Sequence, residues 1–230
     1  MNIHETEQSV VEPEKVILPF EANREYTVEP VGELAKKPIY SFVKRLFDVV
    51  FSLVLMILLF IPMLLLGALV WCTSKGTALY RQERLGLNGK PFQLIKFRTM
   101  VDDAEKNGAQ WSGGDTDERI TKVGAFLRKS RLDELPQLWC IFIGTMSFVG
   151  PRPEREIFYD KFETYVHGFR QRLMVKPGLT GWAQINGGYD LRPEEKIVYD
   201  VEYMKKRSLW MDLKILVKTV AIVFNHKGAK

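Results

Sequence analysis

The sequence predicts an α/β domain, mainly helical with one small β-hairpin, carried on a membrane-associated helix. Three observations lead there: a single uncharged apolar block, a pair of strand patterns joined by a turn, and a series of helix-spaced apolar stripes in the second half. At 230 residues the chain suffices for one catalytic unit plus attachments and falls short of two full domains. Its net charge of +5 favours anionic partners such as phospholipid head groups, phosphorylated substrates or nucleic acid, without choosing among them. Two cysteines, Cys72 and Cys140, cannot build a disulfide framework, and the scattered His4, His167 and His226 lack metal-site spacing.

Residues 1–38 carry several glutamates, Pro13, Pro19, Pro30 and only short apolar runs such as Val16-Ile17-Leu18, which reads as a flexible or weakly docked tail. The order of a signal peptide, basic then apolar then small, is missing from it. Residues 39–75 hold the membrane helix. From Val49 to Cys72 no charge occurs, and at about 1.5 Å per residue that run covers roughly 30 Å of hydrocarbon. Pro62 falls inside it, removes a hydrogen bond, costs about 3 kcal/mol in an uninterrupted helix, and predicts a bend. Lys36, Lys37, Lys44 and Arg45 precede the run while Lys75, Arg81, Arg84 and Lys90 follow, so both ends carry the cytoplasmic sign. The residues alone accommodate a re-entrant helix and a bent spanning helix equally.

Residues 76–230 form the catalytic domain. Thr77 to Leu85 and Pro91 to Met100 read as two strands around the turn Gly86-Leu87-Asn88-Gly89, with Lys96 and Arg98 on one face of the second strand. Asn107 to Thr116 is Gly-rich and polar, a candidate lid, and Ile120, Val123 and Leu127 then mark a helix. Leu135, Leu138, Trp139 and Phe142 predict an inward-packing stripe, and Pro136, tolerated only in a first turn, predicts a helix capped at or near Asp133. Pro193-Glu194-Glu195 opens a further helix that closes on Lys205-Lys206-Arg207. Leu209 to Phe224 is apolar with Lys214 and Lys218 one turn apart, as in a helix lying on a membrane surface or against the core.

The residues that carry chemistry each admit a plain structural reading. Asp133-Glu134, preceded by Arg128 and Arg131, is an N-cap with a first-turn acid or a carboxylate pair at a phosphate site. Arg152 between Pro151 and Pro153 is a rigid turn or a fixed guanidinium for phosphate oxygens. Lys96 and Arg98 are a solvated strand face or further phosphate contacts. Lys176-Pro177-Gly178 and the run Gly181 to Gly188, with Trp182, Gln184 and Asn186, suit either turns or a nucleotide or sugar.

Taken together, Lys44-Arg45-Leu46-Phe47-Asp48, Lys96-Phe97-Arg98-Thr99-Met100, Leu132-Asp133-Glu134-Leu135-Pro136-Gln137-Leu138, Gly150-Pro151-Arg152-Pro153 and the run Lys176 to Gly187 resemble the bacterial sugar transferase family. These are the monotopic phosphoglycosyl transferases that start exopolysaccharide, capsule and O-antigen synthesis. The resemblance implies transfer of a sugar-1-phosphate from a UDP-sugar to undecaprenyl phosphate (a polyprenyl phosphate) with release of UMP, at a Mg²⁺ site on the cytoplasmic face of the bacterial membrane. Carried over, Asp133 is the nucleophile that holds the phosphosugar covalently, Glu134 its partner in metal binding or proton handling, and both are metal ligands. Lys96, Arg98, Arg128 and Arg152 meet phosphates, while Trp182, Gln184 and Asn186 meet the nucleotide or sugar. It further implies a re-entrant helix broken near Pro62, interfacial amphipathic helices, membrane lipid as a partner, a homodimer as a state to look for, and no nucleic acid. Departures are Ile61, where the family often has Ser before the proline, and Gly188, where an Arg often follows the Asn-Gly. The rival readings are a basic membrane scaffold without catalysis, each Lys or Arg adding about 1 kcal/mol at an anionic surface, and a glycosyltransferase that moves the sugar alone and releases UDP.

Overall fold

The computed structural model describes residues 16–18, 25–106, 108–110, 117–187 and 191–225. The described chain is mostly helical with small sheets. Two short parallel pairings involve the first 38 residues: β1 (Val16–Ile17) with β5 (Ala109–Gln110), and β2 (Tyr26–Thr27) with β7 (Val166–His167). Val28 is buried beyond the second pairing, and Lys37 Nζ donates to the Arg207 carbonyl over 2.7 Å.

The apolar block forms two helices, α1 (Pro38–Leu58) and α2 (Phe60–Thr73), bent by 64°. The break falls at Leu59. Pro62, which has no N–H to offer the Leu58 carbonyl, sits in the first turn of α2, where no such bond is required. Among the described residues no single helix is long and apolar enough to cross a membrane; only this bent pair passes on length and composition. Its outward side exposes Phe42, Leu46, Ile57, Leu65 and Trp71.

Three charged residues of α1, Lys44, Arg45 and Asp48, each have a partner far along the chain. Arg45 donates to the carbonyls of Ile141 and Phe142 at 2.8 and 2.7 Å. Buried Asp48 accepts from Ser147 Oγ at 3.1 Å and from the Phe148 amide at 3.0 Å. Lys44 pairs with Asp212 at 2.8 Å, which also accepts from Tyr40 and Tyr203. These bonds dock the apolar block onto the domain and satisfy groups that apolar surroundings would otherwise penalise.

The hairpin forms as expected, from β3 (Leu79–Leu85) and β4 (Pro91–Phe97) in antiparallel register, joined by a 3-10 turn at Leu87–Gly89 in which Asn88 takes φ 56°. Phe92 and Leu94 are buried, and Lys96 follows them on the same face. The strand ends one residue before Arg98. Next come α3 (Lys122–Ser130), capped by Thr121, a 3-10 turn at Leu132–Glu134, and α4 (Gln137–Ile143). A helix capped at Asp133 is not what forms: the cap of α4 is Pro136, without a side-chain bond, and Asp133 belongs to the separate turn before it. The inward stripe is corrected as well, since Gln137, Leu138, Cys140 and Ile141 are buried while Trp139 is 50% exposed.

β6 (Ser147–Val149) pairs in parallel with β8 (Gly178–Thr180). At their ends the backbones nearly touch: a Cβ on Gly150 would lie 2.3 Å from the Lys176 carbonyl oxygen. That approach requires glycine and fixes the exit of the Pro151-Arg152-Pro153 loop. Beyond it lie α5 (Glu156–Glu163), a 3-10 segment at Phe169–Met174, α6 (Trp182–Gly187), α7 (Pro193–Lys206) and α8 (Leu209–Asn225). The Pro193 start of α7 matches the sequence reading, with the Arg192 amide donating to Glu195 at 2.9 Å. The main core joins Leu94, Leu138, Ile141, Met146, Phe148, Met204 and Ile215, and a second gathers Phe158, Phe162, Phe169 and Ile197. Helix α8 buries Met211, Asp212 and Ile215 while Trp210 (76% exposed), Leu213, Val217 and Val220 form an outward apolar stripe. Of the candidate lid, residues 107 and 111–116 lie outside the described residues.

Candidate active site

Three elements converge on the carboxylate pair. Arg131, in the left-handed conformation at φ 60°, ends α3 and swings the chain into the tight turn that carries Asp133 and Glu134. β4 brings Lys96, and the loop after Gly150 brings Arg152. Both carboxylates are 7% exposed. Arg152 Nη2 donates to Glu134 Oε1 over 2.5 Å, and Lys96 Nζ lies 3.8 Å from the same oxygen. Arg128 places its charge near Asp133 while Nε donates to Thr99 Oγ1 over 3.0 Å.

The two acids are driven in opposite directions. For Asp133, burial first and the adjacent Glu134 charge second push the carboxyl up to about 6, with Lys96, Arg152 and Arg128 opposing. For Glu134, burial would raise the carboxyl, yet Arg152 and Lys96 together hold it down to about 2. Burial, reinforced by Arg152, brings Lys96 down to about 8. Near neutral pH the site therefore presents two carboxylates of unlike character: Glu134 is locked in an ion pair, and no hydrogen bond from a described residue reaches the Asp133 carboxylate. A poorly solvated, ionised carboxylate is a competent nucleophile.

Arg152 is itself held from behind. Its carbonyl accepts from Arg172 Nη2 at 2.8 Å, and Arg172 Nε donates to Asp200 at 2.6 Å. The next acid, Glu154, takes Arg84 at 3.1 Å and Lys196 at 3.3 Å. These five charged side chains are almost wholly enclosed, so each depends on its partner.

Sequence reasoning named Asp133, Glu134, Lys96, Arg128 and Arg152, and the structure gathers all five. Arg98 is placed elsewhere: buried, it donates from Nη2 to the carbonyl and hydroxyl oxygens of Ser74 at 2.9 Å each and so closes the C-terminal end of α2. Trp182, Gln184 and Asn186 sit together on α6, which packs on α7 and α8. Trp182 Nε1 donates to Glu202 at 2.8 Å, Lys214 and Lys218 lie 5.0 and 5.6 Å from its ring centre, and Asn186 Nδ2 donates to the Trp182 carbonyl. Both side-chain polar atoms of Gln184 lack partners among the described residues. A cleft of about 820 Å³ between β3 and α5, lined by Tyr80, Arg81, Glu105 and Arg155 among others, includes neither carboxylate of the pair.

The network behind Arg152 was not read from the sequence. Its signal was present in α7, where Lys196 and Asp200 share the helical face of Ile197 and Met204, a face that should otherwise be apolar. Among the described residues no group of three or more Asp, Glu, His or Cys side chains is placed to hold a metal. Asp133 and Glu134 are the residues that would meet Mg²⁺ at this site, an ion commonly bound through one or two carboxylates with substrate phosphates and water completing its octahedron.

The family described as bacterial sugar transferase matches residues 39–226. A UDP-N-acetylgalactosamine-undecaprenyl-phosphate N-acetylgalactosaminephosphotransferase of Aeromonas hydrophila is 39% identical over 204 residues, covering 87% of this chain and 48% of the relative. A UDP-glucose:undecaprenyl-phosphate glucose-1-phosphate transferase of Klebsiella pneumoniae is 39% identical over 207 residues, 88% of this chain and 44% of the relative. Another protein of that description, from Caulobacter vibrioides, is 41% identical over 212 residues, 88% of this chain and 77% of the relative. The chain thus spans about half the length of the first two.

Proposed function

Since the chain belongs to the bacterial sugar transferase family, we propose that it transfers a sugar-1-phosphate from a UDP-sugar to undecaprenyl phosphate, releasing UMP. The observation that carries this reading is the split character of the pair, with Asp133 raised to about 6 and without a hydrogen bond from a described residue while Arg152 and Lys96 fix Glu134.

In the first step an Asp133 carboxylate oxygen attacks the sugar-bearing phosphorus. A bond forms between that oxygen and phosphorus, the bond to the bridging oxygen breaks, and UMP departs with the bridging oxygen and its electron pair. In the second step a phosphate oxygen of the lipid acceptor attacks the same phosphorus and the Asp133 carboxylate leaves. Arg152, Lys96 and Arg128 lower the potential that two phosphates would otherwise meet, and Glu134 keeps Arg152 aimed while the nucleophile is used. Mg²⁺, held by Asp133 and Glu134 oxygens, would supply further neutralisation of the diphosphate.

Attachment to the cytoplasmic face of the bacterial membrane through the bent pair α1 and α2, entering and leaving on one side, belongs to the same proposal. The 64° bend, basic residues at both ends and the outward stripe of α8 support it. The test is purified protein in lipid with undecaprenyl phosphate and UDP-sugars that include glucose and N-acetylgalactosamine, since the relatives' names differ in the sugar. Release of UMP is the expected result; release of UDP would make the protein a sugar-only glycosyltransferase, and no nucleotide release would leave a membrane scaffold.

A further inference from the structure

Gln137 is 1% exposed, yet its Nε2 donates to nothing among the described residues. A buried donor without an acceptor destabilises the fold by the desolvation of that group and calls for an explanation, and an acceptor that is engaged when substrate binds is one. The backbone says where. Leu135 and Pro136 both keep right-handed helical angles, so the chain passes from the 3-10 turn at Leu132–Glu134 into α4 without reversing, through hydrogen bonds that span three residues. Gln137 then stands one tight turn past Glu134, with Asp133 the residue before that acid. Side chains on a helix lean toward its N-terminus, which tips the carboxamide back toward that pair. Glu134 Oε1 already takes Arg152 and Lys96, whereas the Asp133 carboxylate takes no described donor.

We propose that Gln137 is a positioning residue whose Nε2–H bonds the Asp133 carboxylate while the site is loaded with substrate, holding the attacking oxygen in line with phosphorus. The proposal rests on Asp133 being the nucleophile. Gln137 is not asked to transfer a proton or to bind the sugar.

Gln137→Met tests it, because methionine keeps the shape and lacks the donor. A residue that merely fills space would lose only an unsatisfied group, leaving the rate unchanged and thermal stability equal or higher. In single turnovers without acceptor, the expected result is a UMP burst whose rate falls at least about tenfold, the loss of one aligned hydrogen bond. KM for the UDP-sugar should stay within about twofold, since uniform binding is untouched. Burst amplitude counts competent molecules, so a poorly folded variant lowers the amplitude and not the rate. An unchanged burst rate, or a raised KM at unchanged rate, overturns the role of Gln137. Absence of any burst in the wild-type protein instead overturns the role of Asp133.

Discussion

Arg152 and Lys96 both address a single oxygen, Oε1 of Glu134, at 2.5 and 3.8 Å, and leave the neighbouring Asp133 without a described hydrogen bond. Two adjacent acids are thereby given unlike work. One anchors a guanidinium, and the other receives no hydrogen bond from a described residue, which suits the proposed attack on phosphorus.

Arg152→Lys is expected to cut turnover by at least about a hundredfold, because a point ammonium on a shorter reach cannot hold Glu134 and phosphate oxygens together as a planar fork does. Steady-state kinetics with saturating UDP-sugar checks this. Near-normal turnover would reduce Arg152 to a turn residue.

Asp133→Asn should fold normally, as Asn keeps the size of the side chain in its turn, and should lose at least about three powers of ten in rate. Wild-type protein without acceptor should release one equivalent of UMP and gain a sugar phosphate on the peptide containing Asp133. Rapid quenching and peptide mass analysis decide between an adduct there and none.

The opposite shifts of the pair give a direct measurement on metal-free protein. Carboxyl carbon resonances should show Asp133 titrating near pH 6 and Glu134 still ionised at pH 4. In sign, protonation on acidification reaches the nucleophile first and disables it while the ion pair with Arg152 persists. Coincident titrations near pH 4 would contradict the division of roles.

Much of the site was legible because the chemistry concentrates in short runs: Leu132 to Leu138 and Gly150 to Pro153 carry the pair and its arginine within a few residues. The hairpin and the Pro193 start of α7 were legible too, since turn residues and a first-turn proline act locally. Where the reading failed, the cause was tertiary. Pro136 suggested a helix capped by Asp133, but Arg131 in a left-handed conformation made a separate 3-10 turn that buries the acid instead of capping with it. Arg98 shared a strand pattern with Lys96, yet the strand stopped at Phe97 and its charge went to the end of α2. Contacts such as Arg172 with Asp200 join separate segments, and the sequence shows only that Asp200 shares a face with Ile197 and Met204, without naming its partner.

Glu154→Gln should destabilise the fold by about 3–5 kcal/mol, because Arg84 and Lys196 would remain enclosed without their shared anion. Chemical denaturation in detergent measures it. The paired replacement Glu154→Gln with Lys196→Met should recover part of the loss, and no recovery would place the Lys196 contact outside the network.

Single cysteines at the exposed positions Lys36 and Lys90, in a background with Cys72 and Cys140 replaced, test the membrane path. In sealed vesicles a membrane-impermeant thiol reagent should reach both or neither. Opposite accessibility would mean that α1 and α2 cross the bilayer.

The docking of α1 also sets a timetable. Asp48 is held by the Phe148 amide, 100 residues later, and Arg45 by Ile141, 96 residues later. At about 5–20 residues per second of synthesis, the first helix emerges roughly 5–20 s before the groups that will satisfy its buried carboxylate. During that interval Asp48 has only water or nascent chain to bind. Seating of the helix on the finished domain is therefore a late event in the life of each new molecule, and its outset is governed by the ribosome more than by the intrinsic speed of folding.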